Sequence, residues 1–291
     1  MRILLLSIAI LFLPSCNNKK KVFEYTVEPS LDKGVFALAA DTSISDIIQQ
    51  CKITYENRYD SASIRVQYMS DIDVITALEQ KKLKMGAIHR KLSNNEYNRL
   101  LKAYATMPLE KTFAYDGIVL AVAKLNRDSI IPIDALEKYL KSDNFVWATL
   151  PQYQYLYSNL LYHFGISSSK TMLKLVQNFE DLAVIASKPN TLALLPFSSF
   201  SDSDNPIHKS LREKFTFLSI KKNNEIVNPS QEDIYLQIYP FILPYNLVLC
   251  KLKRSEGMGF VNYLYSVPAS KMILKNGLVP AKMPERLVEV K

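Results

Sequence analysis

The chain predicts an α/β protein of two lobes, with mostly parallel sheets flanked by helices. Three observations carry that prediction. Short apolar runs alternate with segments of helical apolar spacing through the first third of the chain, the pattern of strands joined by crossover helices. The same alternation restarts in the middle third. Two long apolar runs, FAYDGIVLAVAK and IYPFILPYNLVLCKLK, flank that middle block and read as connections between lobes.

In chain order, GVFALAA (34–40) reads as a buried strand, followed by a helix over 43–55 with Ile44, Ile47, Ile48 and Cys51 on one face. Between them stands Asp41-Thr42-Ser43. Such side chains cap the free N–H groups of a first helical turn, and the same N–H groups can hold an anion, so the junction is either a cap or a ligand cradle. ASIRVQYM alternates as a strand, Ser70 or Asp71 caps a helix running to Leu78, and LKMGAIHR is a third short strand. LSNNEYNRLLKAY opens a helix with Ser93 as cap and Glu96 at capping-box spacing. After the long run from Phe113, a helix over 133–139 follows the Pro132 break. NFVWATL is a strand, YLYSNLLYHFGI a tyrosine-rich helix, and TLALLPFSSF a strand leaving into the polar loop SDSDNP. Pro240 and Pro244 interrupt the next run, which suits an edge or an interlobe crossing better than a central strand. The chain closes with a helix broken at Val267-Pro268, a second helix and a Gly277 C-cap.

The first residues, MRILLLSIAILFLPSC, form an apolar stretch shorter than the roughly 20 residues that span a bilayer, as in a signal peptide. LPSC resembles a bacterial lipobox. Residues 1–15 are then the signal peptide, Cys16 the lipidated N-terminus and 16–33 a basic tether; an ordinary signal peptide or an uncleaved anchor is the alternative. The expected location is the bacterial cell envelope, lipid-anchored and facing the periplasm or the outside. A net charge of +8 favours small anions or a membrane surface, and in an exported protein it does not imply a nucleic-acid partner. Cys51 and Cys250 are expected to be separate buried thiols. His89, His163 and His208 have no Cys or His at metal-ligand spacing, and no P-loop, dinucleotide fingerprint or nucleophile elbow occurs. No metal, cofactor or catalytic residue is expected; the chain reads as a non-enzyme.

The ordered set AADTSISDIIQQC, KLKMGAIHRKLSNNEY, FAYDGIVLAVAK, YPF and GMGFVNYLYSVPASKMILKNGLVPAKMPER resembles the phosphate-binding (PstS-like) subunits of ABC importers, in a divergent lipoprotein branch. The resemblance runs from about residue 35 to the end and is weak over 147–229. It implies a type II periplasmic binding protein, a clamp with 34–112 plus 240–291 as lobe 1 and 113–239 as lobe 2. Phosphate or a similar small anion would lie between the lobes at converging helix N-termini. ABC permease subunits would be its partners, and the protein itself a monomer.

The resemblance also nominates site residues. Thr42 and Ser43 match the first anion-binding helix start and Ser70 the second. Asp41 would repel a bound dianion unless it turned away or were itself capped. His89 and Arg90 match the family's post-strand motif, where an arginine supplies planar charge-assisted donors. Asp116 is expected at a hinge or turn. In the second lobe, where phosphate binders carry an arginine and a Ser-Gly-Thr turn, this chain has WATLPQYQYLYSN, so Gln152 and Tyr153, with Gln154 and Tyr155, stand in for those donors. That departure leaves a second reading, a binding-protein fold kept as an envelope scaffold or sensor with a protein or glycan partner.

Overall fold

The computed structural model describes residues 33–124, 129–167, 171–250 and 257–284. The signal segment, Cys16 and nearly all of the tether lie outside the described residues. The first block reads β1 (Gly34–Asp41), α1 (Ser45–Arg58), β2 (Ala62–Met69), α2 (Asp71–Glu79), β3 (Met85–Ile88) and α3 (Asn94–Tyr104). A single turn of 3-10 helix, Thr42–Ile44, links β1 to α1. The helix starts follow their local chemistry. Ser70 accepts the Asp73 N–H, and Ser93 with Glu96 forms the complete capping box.

A 15-residue strand, β4 (Leu109–Ala123), leads into β5 (Ile130–Pro132), α4 (Ile133–Leu140), β6 (Val146–Thr149), α5 (Gln154–His163), β7 (Met172–Leu175), α6 (Phe179–Ala186) and β8 (Thr191–Pro196). Then come α7 (Pro206–Lys214), β9 (Phe215–Phe217), β10 (Ser219–Lys222), β11 (Glu225–Val227) and α8 (Gln231–Tyr235). The chain returns through β12 (Ile242–Leu249) to α9 (Met258–Leu264), α10 (Val267–Lys275) and β13 (Val279–Pro280).

The strands form one sheet in the order β2-β1-β3-β12-β4-β8-β6-β7, with β9 and β13 also on β4, and a small sheet β11-β10-β5. Parallel pairs occupy both outer parts, β2-β1-β3 and β8-β6-β7, as crossover helices require. β4 and β12 run antiparallel to their neighbours. β4 pairs with β12 as far as Gly117 and with β8 from Ile118 onward, so one strand belongs to both halves.

β12 corrects the expectation of an edge strand drawn from its prolines: it lies inside the sheet, between β3 and β4. Pro240 precedes the strand. Pro244 pairs only with Tyr115 of β4, because pairing with β3 starts at Asn246, after a bulge at Tyr245/Asn246. The proline thus falls outside the doubly paired stretch, where a missing N–H breaks no ladder on the β3 side.

Helices α9 and α10 pack back onto the N-terminal block. Tyr55 of α1 meets Phe260 and Tyr263 of α9 with ring centroids 5.4 Å apart in both pairs. Cys51 and Cys250 are free and buried. Among the described residues no helix is long and apolar enough to cross a membrane.

Candidate functional site

Open α/β sheets bind ligands beyond the carboxyl ends of their parallel strands, and that edge gathers most of the residues nominated above. In the β1–β3 register Ala40 faces Ala87, which brings Asp41 beside the end of β3 and His89. His89 Nδ1 donates to Asp41 Oδ2 at 2.5 Å and lies 3.0 Å from Ser43 Oγ. Asp41 Oδ1 accepts the Ser43 N–H at 2.9 Å. The His89 and Asp41 side chains are only 6% and 7% exposed. Burial pushes the Asp41 carboxyl up, but the hydrogen bond and charge of His89, with the Ser43 N–H, outweigh it and hold the group below the usual carboxylate range. The junction is therefore a cap, and its carboxylate stands where the first turn would otherwise present free donors. Thr42 is exposed, and its hydroxyl donates to the Met69 carbonyl at 3.1 Å.

Ser70 is likewise occupied: its hydroxyl donates to Asp73 Oδ2 at 2.7 Å and accepts the Asp73 N–H at 3.2 Å. Arg90 is clamped by two carboxylates. Nε donates to Asp71 Oδ2 at 2.6 Å, while Nη1 and Nη2 reach the two oxygens of Glu96 at 2.8 and 2.9 Å. Glu96 also takes the Ser93 N–H at 2.8 Å. Burial opposes both charges, yet the pairing prevails. It raises the Arg90 pKa above its ordinary value and depresses that of Glu96 to about 2. Asn246, aimed by the β12 bulge, donates to the Arg90 carbonyl at 3.0 Å and fixes the backbone of the clamp.

The opposite wall comes from the segment after β6. Leu156, Tyr157 and Leu160 anchor α5 in the core, leaving Tyr155 to project at His89, ring centroids 4.7 Å apart. Burial, helped by nearby Asp116 and opposed by the hydrogen bond with Tyr245, pushes the Tyr155 hydroxyl well above its ordinary pKa, so it stays neutral. Tyr245 in turn donates to Asp116 Oδ2 at 3.1 Å. Asp116 is fully buried where β4 passes from one half to the other. Its oxygens also accept the N–H groups of Gly117 and Ser198 and the Ser198 hydroxyl. Tyr155 separates two cavities. The larger, about 380 Å³, is bounded by Asp71, His89, Arg90, Glu96, Tyr155 and Asn159 among others. The smaller, about 180 Å³, includes Ser43, Asp46, Tyr153 and Tyr245 in its wall. Gln152 is exposed and bonds Tyr153, outside both walls.

Serine, histidine and aspartate meet here, but Ser43 and Asp41 share the same ring nitrogen. A base that activates a serine needs the hydroxyl on one nitrogen and the carboxylate on the other, so this cluster is not a nucleophile–base relay. Among the described residues no group of His, Cys, Asp or Glu is placed to hold a metal ion. The sequence left Arg90 open between ligand contact and a surface salt bridge, and it did not show Asp71 and Glu96 as the partners. Glu96 showed only its capping spacing, and the sole signal for its second role was its place six residues after Arg90, across the turn into the next helix.

No protein-family model and no curated protein sequence matches this chain. Solved structures do resemble it. A possible phosphate binding protein from Planctomyces limnophilus is 15% identical, with a TM-score of 0.63 over 87% of this chain and 94% of that one. An ABC-type phosphate transport receptor from Vibrio cholerae is 14% identical, with a TM-score of 0.66 over 86% and 100%. PstS from Borrelia burgdorferi is 15% identical, with a TM-score of 0.65 over 85% and 99%. The fold is that of the two-lobed periplasmic binding proteins, and these neighbours are binding proteins rather than enzymes.

Proposed function

We propose that the chain is a lipid-anchored solute-binding protein of the cell envelope that holds a small polar ligand between its lobes and delivers it to an ABC permease. The observation that carries this reading is the cavity of about 380 Å³ at the strand ends, with Arg90 and His89 on one wall and Tyr155 and Asn159 on the other. A ligand touching both walls is what lobe closure needs, because only contacts made better in the closed state can drive it. The lobes divide at the β4 and β12 crossings, as 34–112 with 240–291 against 113–239, and Cys16 carries the lipid.

Phosphate or a related oxyanion is the ligand that the named neighbours favour. Its contacts in that cavity would be His89 and Arg90, with Ser43 and Tyr153 on the wall of the smaller cavity beyond Tyr155. The internal pairing of these donors to Asp41, Asp71 and Glu96 counts against tight binding of a dianion, since each lost internal bond to a charged group costs about 1.5–3 kcal/mol. Calorimetric titration of the purified protein with phosphate, sulfate and molybdate tests this. Saturable heat lost in Arg90→Ala supports the oxyanion reading, and no heat at millimolar anion removes it. The same internal pairing favours the second reading, a scaffold or sensor. Cross-linking in cells that returns an envelope protein and no permease subunit would support that reading.

A further inference from the structure

We propose that the larger cavity takes a neutral, hydroxyl-rich solute of mono- or disaccharide size rather than an oxyanion. This rests on the solute-binding reading above and names its ligand class. The argument is a balance of donors and acceptors left open on the wall. Arg90 has five N–H groups, and four are committed to Asp71, Glu96 and the Lys91 carbonyl. One N–H on Nη2 has no partner among the described residues. Other polar atoms of the wall are left open too. Asp71 Oδ1 takes no bond among the described residues, and Asn159 spends one of its two amide N–H groups on the Tyr155 carbonyl at 2.9 Å, leaving its oxygen and a second N–H. His89 adds another. Its side chain is more than nine-tenths buried and forms part of the wall, and a carboxylate at 2.5 Å requires the proton on Nδ1. That leaves Nε2, which has no partner among the described residues and is not among their sealed unpaired atoms, open to a ligand hydroxyl that can give or take the hydrogen bond.

Sulfate can only accept hydrogen bonds and hydrogen phosphate has a single O–H to give, and either would bring negative charge beside the carboxylates of Asp71 and Glu96 to meet one open guanidinium N–H and one amide N–H. A cation can only donate, and it would meet the guanidinium at the centre of the wall. A hydroxyl does both, so a polyol satisfies open donors and acceptors together without bringing a charge to a site whose charges are already paired. The ring faces of Tyr155 and Tyr162 give such a solute an apolar wall, Tyr162 standing 75% exposed at the rim. The volume of about 380 Å³ is in the range of small-molecule sites.

The test is calorimetry and thermal shift on the full lipidated protein in a zwitterionic detergent free of sugar groups. The probes are glucose, galactose, maltose, inositol, inorganic phosphate and choline. The expected result is saturable binding of at least one neutral probe, with phosphate and choline silent. The affinity for that probe should fall at least tenfold in Asp71→Asn and in Asn159→Ala, variants whose unliganded melting temperatures show that they fold. Binding of phosphate or choline with no neutral probe bound would overturn the ligand class and leave the solute-binding reading standing. Silence of all six probes would overturn both. A neutral probe whose affinity is unchanged in both variants would place it elsewhere and overturn the assignment to this cavity.

Discussion

Replacing Glu96 by glutamine perturbs the charge balance of the cavity wall with little change of shape. The carboxylate accepts both terminal nitrogens of Arg90 and the Ser93 N–H, all within 2.9 Å. Burial works against the charge, but these donors hold the pKa at about 2 against an ordinary 4.5. A depression of roughly 2.5 units corresponds to about 3.4 kcal/mol at 1.36 kcal/mol per unit. Solvent screening of a partly exposed pair reduces this to ~2 kcal/mol. Because the folded-state pKa lies below the unfolded one, the contribution is complete above about pH 4.5 and is lost as the pH falls toward about 2. Urea unfolding at pH 7 should therefore place Glu96→Gln ~2 kcal/mol below the natural chain, and acid titration should close the gap. A variant within ~0.5 kcal/mol at pH 7, or a gap that acid leaves unchanged, would refute the claim that this clamp is a strong one.

Other substitutions probe the packing around the site. Trp147 is fully buried, and its Nε1 is a buried polar atom without a hydrogen-bond partner among the described residues. Trp147→Phe should thus cost no more than ~1 kcal/mol, against ~3–5 kcal/mol for Trp147→Ala, in the same urea assay. Gly277 has φ +79°, and an added Cβ would stand 2.4 Å from the Ser198 carbonyl oxygen; Gly277→Ala should lower stability by at least ~2 kcal/mol, measured by thermal melting. Burial pushes the Cys250 thiol up to about 12 and the Cys51 thiol higher still. Neither should react with iodoacetamide at pH 8 until denaturant is added, read as mass added per chain.

What the sequence disclosed and what it hid divide along range. Helix starts at Ser70 and Ser93 are set by residues three positions away, so spacing alone found them. The inward place of β12 was hidden because the cost of Pro244 depends on which neighbour pairs at that residue, a property of register. β7 and α6, in the stretch where the resemblance is weak, went unread: β7 is mostly exposed along its length and carries no alternating apolar face. At the site, the candidate residues were visible but their bonds were not. Asp41 and His89 are 48 positions apart, and only the β1–β3 register brings carboxylate to imidazole. Arg90 was legible as a donor; that Asp71 and Glu96 consume most of its donors depends on the first turns of α2 and α3 both lying beside it, which spacing does not show.

The stretch AADTSISD then acquires a more specific role than cap or cradle. Asp41 caps with its own carboxylate, holding the Ser43 N–H through one oxygen and His89 through the other, so the chain supplies the negative charge that an anion ligand would bring. Two unit charges 4 Å apart repel by roughly 4 kcal/mol at an effective dielectric of 20, enough to keep a small anion from the same donors. Removing that charge should reverse the preference. Asp41→Ser keeps a hydroxyl able to cap the turn on the Ser43 N–H and frees the His89 ring nitrogen for a ligand. In calorimetry against phosphate and sulfate this variant should bind at least tenfold more tightly than the natural chain. If the folded variant binds both anions no better than the natural chain, Asp41 is a cap and nothing more, and the selectivity of the cleft has to be sought in Arg90 and its two carboxylates.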